Sequence, residues 1–162
     1  MTDQFQLSED QLAIQEMARR FTADNITPHA ASWDEEHIFP RDTIKAAAEL
    51  GFAAIYVSEE GGGIGLGRLE SALIMEAMAY GCPATSSFIS IHNMSAWMID
   101  CFGGDTVKAK FLPGLVTMDK MASYCLTEPA VAPTLRRSGP VPSLRAITTS
   151  STARSSSSLA LG

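Results

Sequence analysis

The sequence predicts an all-α domain of five or six helices, followed by the first strand of a β-domain and then a disordered tail. Three observations lead there. Apolar residues recur at three- and four-residue intervals from Ser8 to Phe111. Proline and glycine fall where helices of ordinary length should begin and end. The composition also changes abruptly at Pro129, beyond which there is no aromatic and no acidic residue.

The first helix starts near Ser8, which can cap free backbone N–H groups while Gln11 reaches back to complete a capping box. Ile14, Met17, Ala18 and Phe21 form its inward stripe, with Gln15, Glu16, Arg19 and Arg20 facing away. Asn25 to Pro28 reads as a break, because proline lacks a donor and restricts Thr27. Pro40 suits the first turn of a second helix through Leu50, with Gly51 as its stop. Phe52 to Val57 is a short apolar run, either extended or a helical turn; periodicity leaves both open.

Gly61 to Gly67 holds five glycines in seven residues and is expected to be a loop. Arg68 to Tyr80 follows as a helix, with Leu69, Leu73, Ala77 and Tyr80 on one face and Gly81 as the stop. Pro83 to Phe102 is a long apolar helix carrying Phe88, Ile91, Met94, Ser95, Met98 and Phe102. Asp105 can cap a short helix through Phe111. Ala122 to Thr127 reads as a strand. The 34 residues from Pro129 include twelve Ser or Thr and end in a serine run followed by Leu-Ala-Leu-Gly. They cannot bury enough apolar area to offset the entropy of ordering, so disorder is expected.

Composition bounds the function. Apolar content is 46% and charged content 19%, ordinary for a soluble domain. All 18 acidic residues and eight of the twelve Lys and Arg lie at or before Glu128, a net charge of -10. The remainder, with Arg136, Arg137, Arg145 and Arg154, carries +4. An acidic body argues against nucleic acid as a partner. No run approaches ~20 apolar residues, so no membrane span is expected. The amino terminus has neither signal-peptide nor transit-peptide character, which makes the cytoplasm the expected location. Cys82, Cys101 and Cys125 have no CxxC spacing and read as reduced thiols. His29, His37 and His92 have no ligand spacing, so no metal site is expected.

Several motifs could carry chemistry. Gly63-Ile64-Gly65-Leu66-Gly67 departs from a dinucleotide fingerprint and lacks the Lys-Ser/Thr of a P-loop, so it reads as a structural turn. Ser90, His92 and Asn93 form an expected buried polar trio. Positions two apart on a helix diverge, so Ser90 and His92 make no nucleophilic pair, and the trio reads as packing or pocket lining. Met75, Met78, Met94 and Met98 read as core filling, although methionine also suits an adaptable acyl pocket.

The segment Ala122-Ser123-Tyr124-Cys125-Leu126-Thr127-Glu128-Pro129 gains meaning beside Trp33-Asp34-Glu35-Glu36-His37-Ile38-Phe39-Pro40, Glu49-Leu50-Gly51-Phe52, the glycine loop, Ile91-His92-Asn93-Met94 and Phe111-Leu112-Pro113-Gly114-Leu115. With these pieces the chain resembles the acyl-CoA dehydrogenase family along Met1 to Pro129, and Ser90 to Asp100 looks most like its isobutyryl-CoA and short-branched-chain members. The resemblance implies the amino-terminal helical domain over residues 1–121, the start of a middle β-domain over 122–129, and an out-of-frame tail over 130–162.

It also implies FAD, an acyl-CoA substrate, electron-transfer flavoprotein as partner, and a homo-oligomer. The reaction it implies forms an α,β double bond: a glutamate base takes the α proton and the β hydrogen leaves as hydride to the flavin. Tyr124, Cys125, Leu126 and Thr127 would lie along the isoalloxazine, with the Thr127 hydroxyl near the hydride-accepting nitrogen and the Leu126 backbone on the pyrimidine ring. Ser90, His92 and Asn93 are the substrate-pocket candidates. The catalytic glutamate and most FAD contacts belong to later parts of the family's chain, so the expectation is a truncated, inactive subunit. The competing expectation is a helical interaction module with a flexible Ser/Arg arm.

Family members continue Thr-Glu-Pro with Gly-Ser-Gly-Ser-Asp. A permissible back-translation of Ala130 to Ser138, read from the last base of its first codon, gives Ser-Gly-Ser-Asp-Ala-Ala-Ser-Leu. The same offset over Ala146 to Ala153 gives Asp-His-Tyr-Ile-Leu-Asn-Gly, which also looks like family sequence. One base lost in a glycine codon after Pro129 would account for both.

Overall fold

A computed structural model describes residues 6–124, and these form six helices joined by irregular segments, the longest being residues 50–67. Helix α1 is Glu9–Asn25, α2 Ala30–Glu35, α3 Arg41–Glu49, α4 Arg68–Gly81, α5 Pro83–Phe102 and α6 Asp105–Val116. Helix α1 packs on α4, α4 on α5, and α5 on α6. The main core gathers Ala18, Phe21, Ile44, Phe52, Ile74, Met78 and Ile89; a second cluster joins Ala54, Val57 and Ala96 to Leu112 and Leu115.

Sequence and structure agree most closely at helix ends. The Ser8 hydroxyl accepts from Gln11 N–H at 3.2 Å while the Gln11 side chain accepts from Ser8 N–H at 3.0 Å. Gly51 sits at φ +80°, a conformation that glycine adopts without strain. Pro83 opens α5, and Gly103 follows its last residue.

Other expectations give way to packing. Gln15, assigned to the outer face of α1, is buried, whereas Met17 is half exposed. Leu69 and Tyr80 stand outside the buried face of α4, which consists of Ser71, Leu73, Ile74, Ala77 and Met78. On α5 the buried side is not the apolar stripe but Thr85, Ser86, Ile89, His92, Asn93 and Ala96. That helix is apolar on its other side as well, so periodicity alone points to the wrong face. Ser90, expected to be buried, is exposed.

Helix α1 ends at Asn25, at the expected break, and α2 follows over residues to which the sequence assigns no element. It buries none of its residues fully, and Trp33 alone packs partly against the core, so it leaves no apolar period to read. Helix α6 runs past Phe111 through Pro113 to Val116. Pro113 removes one helical donor, but Leu112 and Leu115 beside it are buried and hold the helix together. Asp105 makes no side-chain cap there, and Gly104 takes the cap position.

Phe52 to Val57 forms buried turns, neither a strand nor a regular helix. Ala122 to Tyr124, the described part of the expected strand, has no regular secondary structure; Cys125, Leu126 and Thr127 lie outside the described residues. A strand needs a hydrogen-bonded neighbour, and no described residue provides one. The expected tail also lies outside them. Among the described residues no helix is long and apolar enough to cross a membrane.

Candidate functional site

Helix α5 organises the interior because two adjacent polar side chains on it hold two irregular segments. Asn93 is fully buried. Its Oδ1 accepts from Ile55 N–H at 2.7 Å, and its Nδ2 donates to Phe52 O at 2.7 Å and Ile89 O at 3.0 Å. A segment without helical or sheet bonding must satisfy its buried backbone groups otherwise. Asn93 does so for Phe52–Val57 from the α5 side.

The glycine loop completes that work. Ile64 N–H donates to Ala54 O, Leu66 N–H to Ile55 O, and Gly65 N–H to Val57 O. Gly63 lies so close that an added Cβ would stand 2.3 Å from Val57 O. These contacts make the loop a backbone partner for its own chain, in keeping with a structural turn. Asp100 extends the pattern: its carboxylate accepts from Ser58 N–H at 2.8 Å, with the Lys108 ammonium 3.8 Å away.

His92 faces the other way, towards α6, and is also fully buried. Its Nε2 lies 3.0 Å from Leu115 O, and its Nδ1 accepts from Ala122 N–H at 3.1 Å. A backbone N–H only donates, so Nδ1 must carry the lone pair and Nε2 the proton. Burial pushes the His92 pKa below its ordinary value, opposed by the bond to Leu115 O, while the bond from Ala122 N–H, which only an unprotonated Nδ1 can accept, also favours the neutral ring. The ring is therefore held neutral.

The three pocket candidates do not converge. His92 and Asn93 spend their polar atoms on backbone, while Ser90 is exposed on another side of α5. Of the flavin-edge candidates, Tyr124 is described and 38% exposed. It follows Ala122 by two residues, so the chain turns outward directly after the His92 contact. Ile91 and Phe102 are exposed on the outer side of α5, while Met94 and Met98 are half-buried. No group of three or more His, Cys, Asp or Glu that could hold a metal occurs among the described residues.

Sequence reasoning gave no hint of two features. One is the bond from Ala122 to a ring 30 positions earlier. The other is Arg68, whose guanidinium lies 4.0 Å from the Tyr56 ring centre and 5.0 Å from that of Trp97. Neither has a local signature, since the partners meet only through folding.

The pattern described as "Acyl-CoA dehydrogenase, N-terminal domain" matches residues 8–119. Over 123 residues the chain is 53% identical to the mitochondrial isobutyryl-CoA dehydrogenase of Dictyostelium discoideum and 49% identical to that of Bos taurus. Each match covers 76% of this chain and 30% of the relative, so the chain spans about a third of the length of the curated relatives it matches. An acyl-CoA dehydrogenase from Bacillus anthracis, solved in complex with FAD, is similar at 31% identity with a TM-score of 0.69; the match covers 76% of this chain and 21% of that one.

Proposed function

The chain belongs to the acyl-CoA dehydrogenase family, and from that premise we propose that it is the helical part of an FAD-dependent enzyme that dehydrogenates a short, branched acyl-CoA between its α and β carbons. The observation that carries this reading is the identity of about one half to two isobutyryl-CoA dehydrogenases. The half-exposed Tyr124, leaving the core just after a buried tether, fits a segment laid against a planar ring.

In this reading Tyr124 to Thr127 hold the isoalloxazine, which when bound accepts the hydride. The Thr127 hydroxyl would donate near the accepting nitrogen, and the Leu126 backbone would meet the pyrimidine edge. Ser90, exposed on α5, is the candidate with a free route to an acyl chain. Electron-transfer flavoprotein is the electron acceptor, and the assembled enzyme is a homo-oligomer. The cytoplasmic default of the sequence stands beside the mitochondrial location carried in the names of both relatives.

The proposal includes a shifted frame after Pro129, and with it a polypeptide that alone neither turns over acyl-CoA nor retains FAD. The test compares two proteins: the 162-residue chain, and the product of the same gene with one base restored after the Pro129 codon. The first should be colourless and inactive; the second should be yellow and oxidise isobutyryl-CoA. Turnover by the first, or a downstream locus that encodes no dehydrogenase remainder, would refute it.

A further inference from the structure

We infer that His92 is a positioning residue: its buried ring ties down Ala122 and so fixes the point from which the flavin edge leaves the helical domain. The inference rests on the flavin reading of Tyr124 to Thr127 given above.

The geometry is specific. One imidazole joins the two ends of the segment Leu115 to Ala122, through Leu115 O on one nitrogen and Ala122 N–H on the other. Between these ends the chain reverses. Met118 adopts φ +58° while fully buried, and Lys120 N–H donates to Gly114 O at 2.8 Å. Leu115 is itself 1% exposed, so one end of the tether is anchored in the second core cluster. At the other end, burial fades within two residues: Ala122 is half-buried, and Ser123 and Tyr124 are exposed. The bond to His92 is thus the last described polar tie before the edge begins.

An aromatic hydrocarbon would fill the same space but would leave Leu115 O and Ala122 N–H without these partners. Two backbone groups from separate stretches require one acceptor and one donor on a single rigid ring, which neutral imidazole supplies. The neighbouring Asn93 does the same for Phe52–Val57. Helix α5 therefore carries two adjacent polar anchors, one for the inner turn and one for the outgoing edge.

The two ring atoms can be separated by substitution. In His92→Asn the side-chain oxygen reaches the place of Nδ1 and can still accept from Ala122. In His92→Gln the amide nitrogen reaches the place of Nε2 and can donate to Leu115, but Ala122 loses its acceptor. Amide hydrogen exchange is measured on the full 162-residue chain without flavin. Ala122 should be protected in the parent and in His92→Asn, and should exchange roughly tenfold faster in His92→Gln, as expected for the loss of one hydrogen bond. Amides within α6 should change little.

Equal Ala122 exchange in all three proteins, or an unprotected Ala122 in the parent, overturns the tether. If either variant fails to fold, nitrogen NMR of the parent decides: an unprotonated Nδ1 at neutral pH supports the tether, and a protonated one refutes it. Failure of the flavin reading shows separately. Thr127→Ala would then leave the flavin spectrum of the frame-restored protein unchanged while Ala122 stays protected, which overturns the positioning role and spares only the tether.

Discussion

Asn93 shows how much one side chain can hold. A buried amide is stable only when its donors and acceptors find partners, and here three backbone groups supply them. Asn93→Ala removes the acceptor of Ile55 N–H and the donor to Phe52 O together, deep in the core. The expected loss is roughly 2–4 kcal/mol, seen as a lower urea midpoint with little change in slope. Asn93→Asp should not rescue it, because a carboxylate cannot donate to Phe52 O or Ile89 O. The sequence marked Asn93 and its neighbour His92 as unusual, since polar residues on an apolar helix invite explanation. It could not say what they bind, because Ile55 is 38 positions away and Ala122 is 30. Ser90 is their neighbour along the chain only, and its side chain lies on an exposed side of α5.

At the level of elements, most helix ends are legible and the faces only in part: Ala18 and Phe21 of α1 and Leu73 and Ala77 of α4 are buried as expected, whereas the stripe expected on α5 is not. The Ser8–Gln11 box is a local exchange between residues three apart, so the sequence contains all of it. Ser8→Ala should cost about 1 kcal/mol, read from thermal or urea unfolding, with fraying confined to the first turn of α1. Helix α5 shows the opposite case. Its two sides are both apolar enough to be buried, and the choice between them depends on where α4 and α6 lie. The continuation of α6 past Pro113 follows the same rule, for the buried Leu112 and Leu115 sustain a helix that local propensity would end.

For the whole molecule, the buried neutral imidazole links stability to pH. His92 titrates below its ordinary value in the folded chain and near ~6.5 in the unfolded one. The unfolded state therefore takes up a proton first as pH falls. Stability should be at its plateau above about pH 6.5 and decline as the pH drops from there through the folded value, by at most about 1.4 kcal/mol per pH unit. Urea titrations between about pH 5 and 7, above the range of ordinary carboxyls, should show this slope, and His92→Asn should flatten it. A parent protein with pH-independent stability over that interval would contradict a buried neutral ring. Glu70 and Asp119, whose carboxyls are held low by the Gln11 amide and the Lys45 ammonium respectively, lie at the surface and titrate below this window.

What the sequence determined by itself was whatever neighbours along the chain can encode: the helix starts and stops, the glycine loop, and the motifs that mark the family. Tertiary structure alone decided which side of α5 turns inward, that Phe52–Val57 is neither strand nor regular helix, and that Ala122 is moored to His92. The reason is range. A cap or a turn is settled by atoms a few residues apart, whereas burial and long-range hydrogen bonds exist only once distant segments meet and exclude water together.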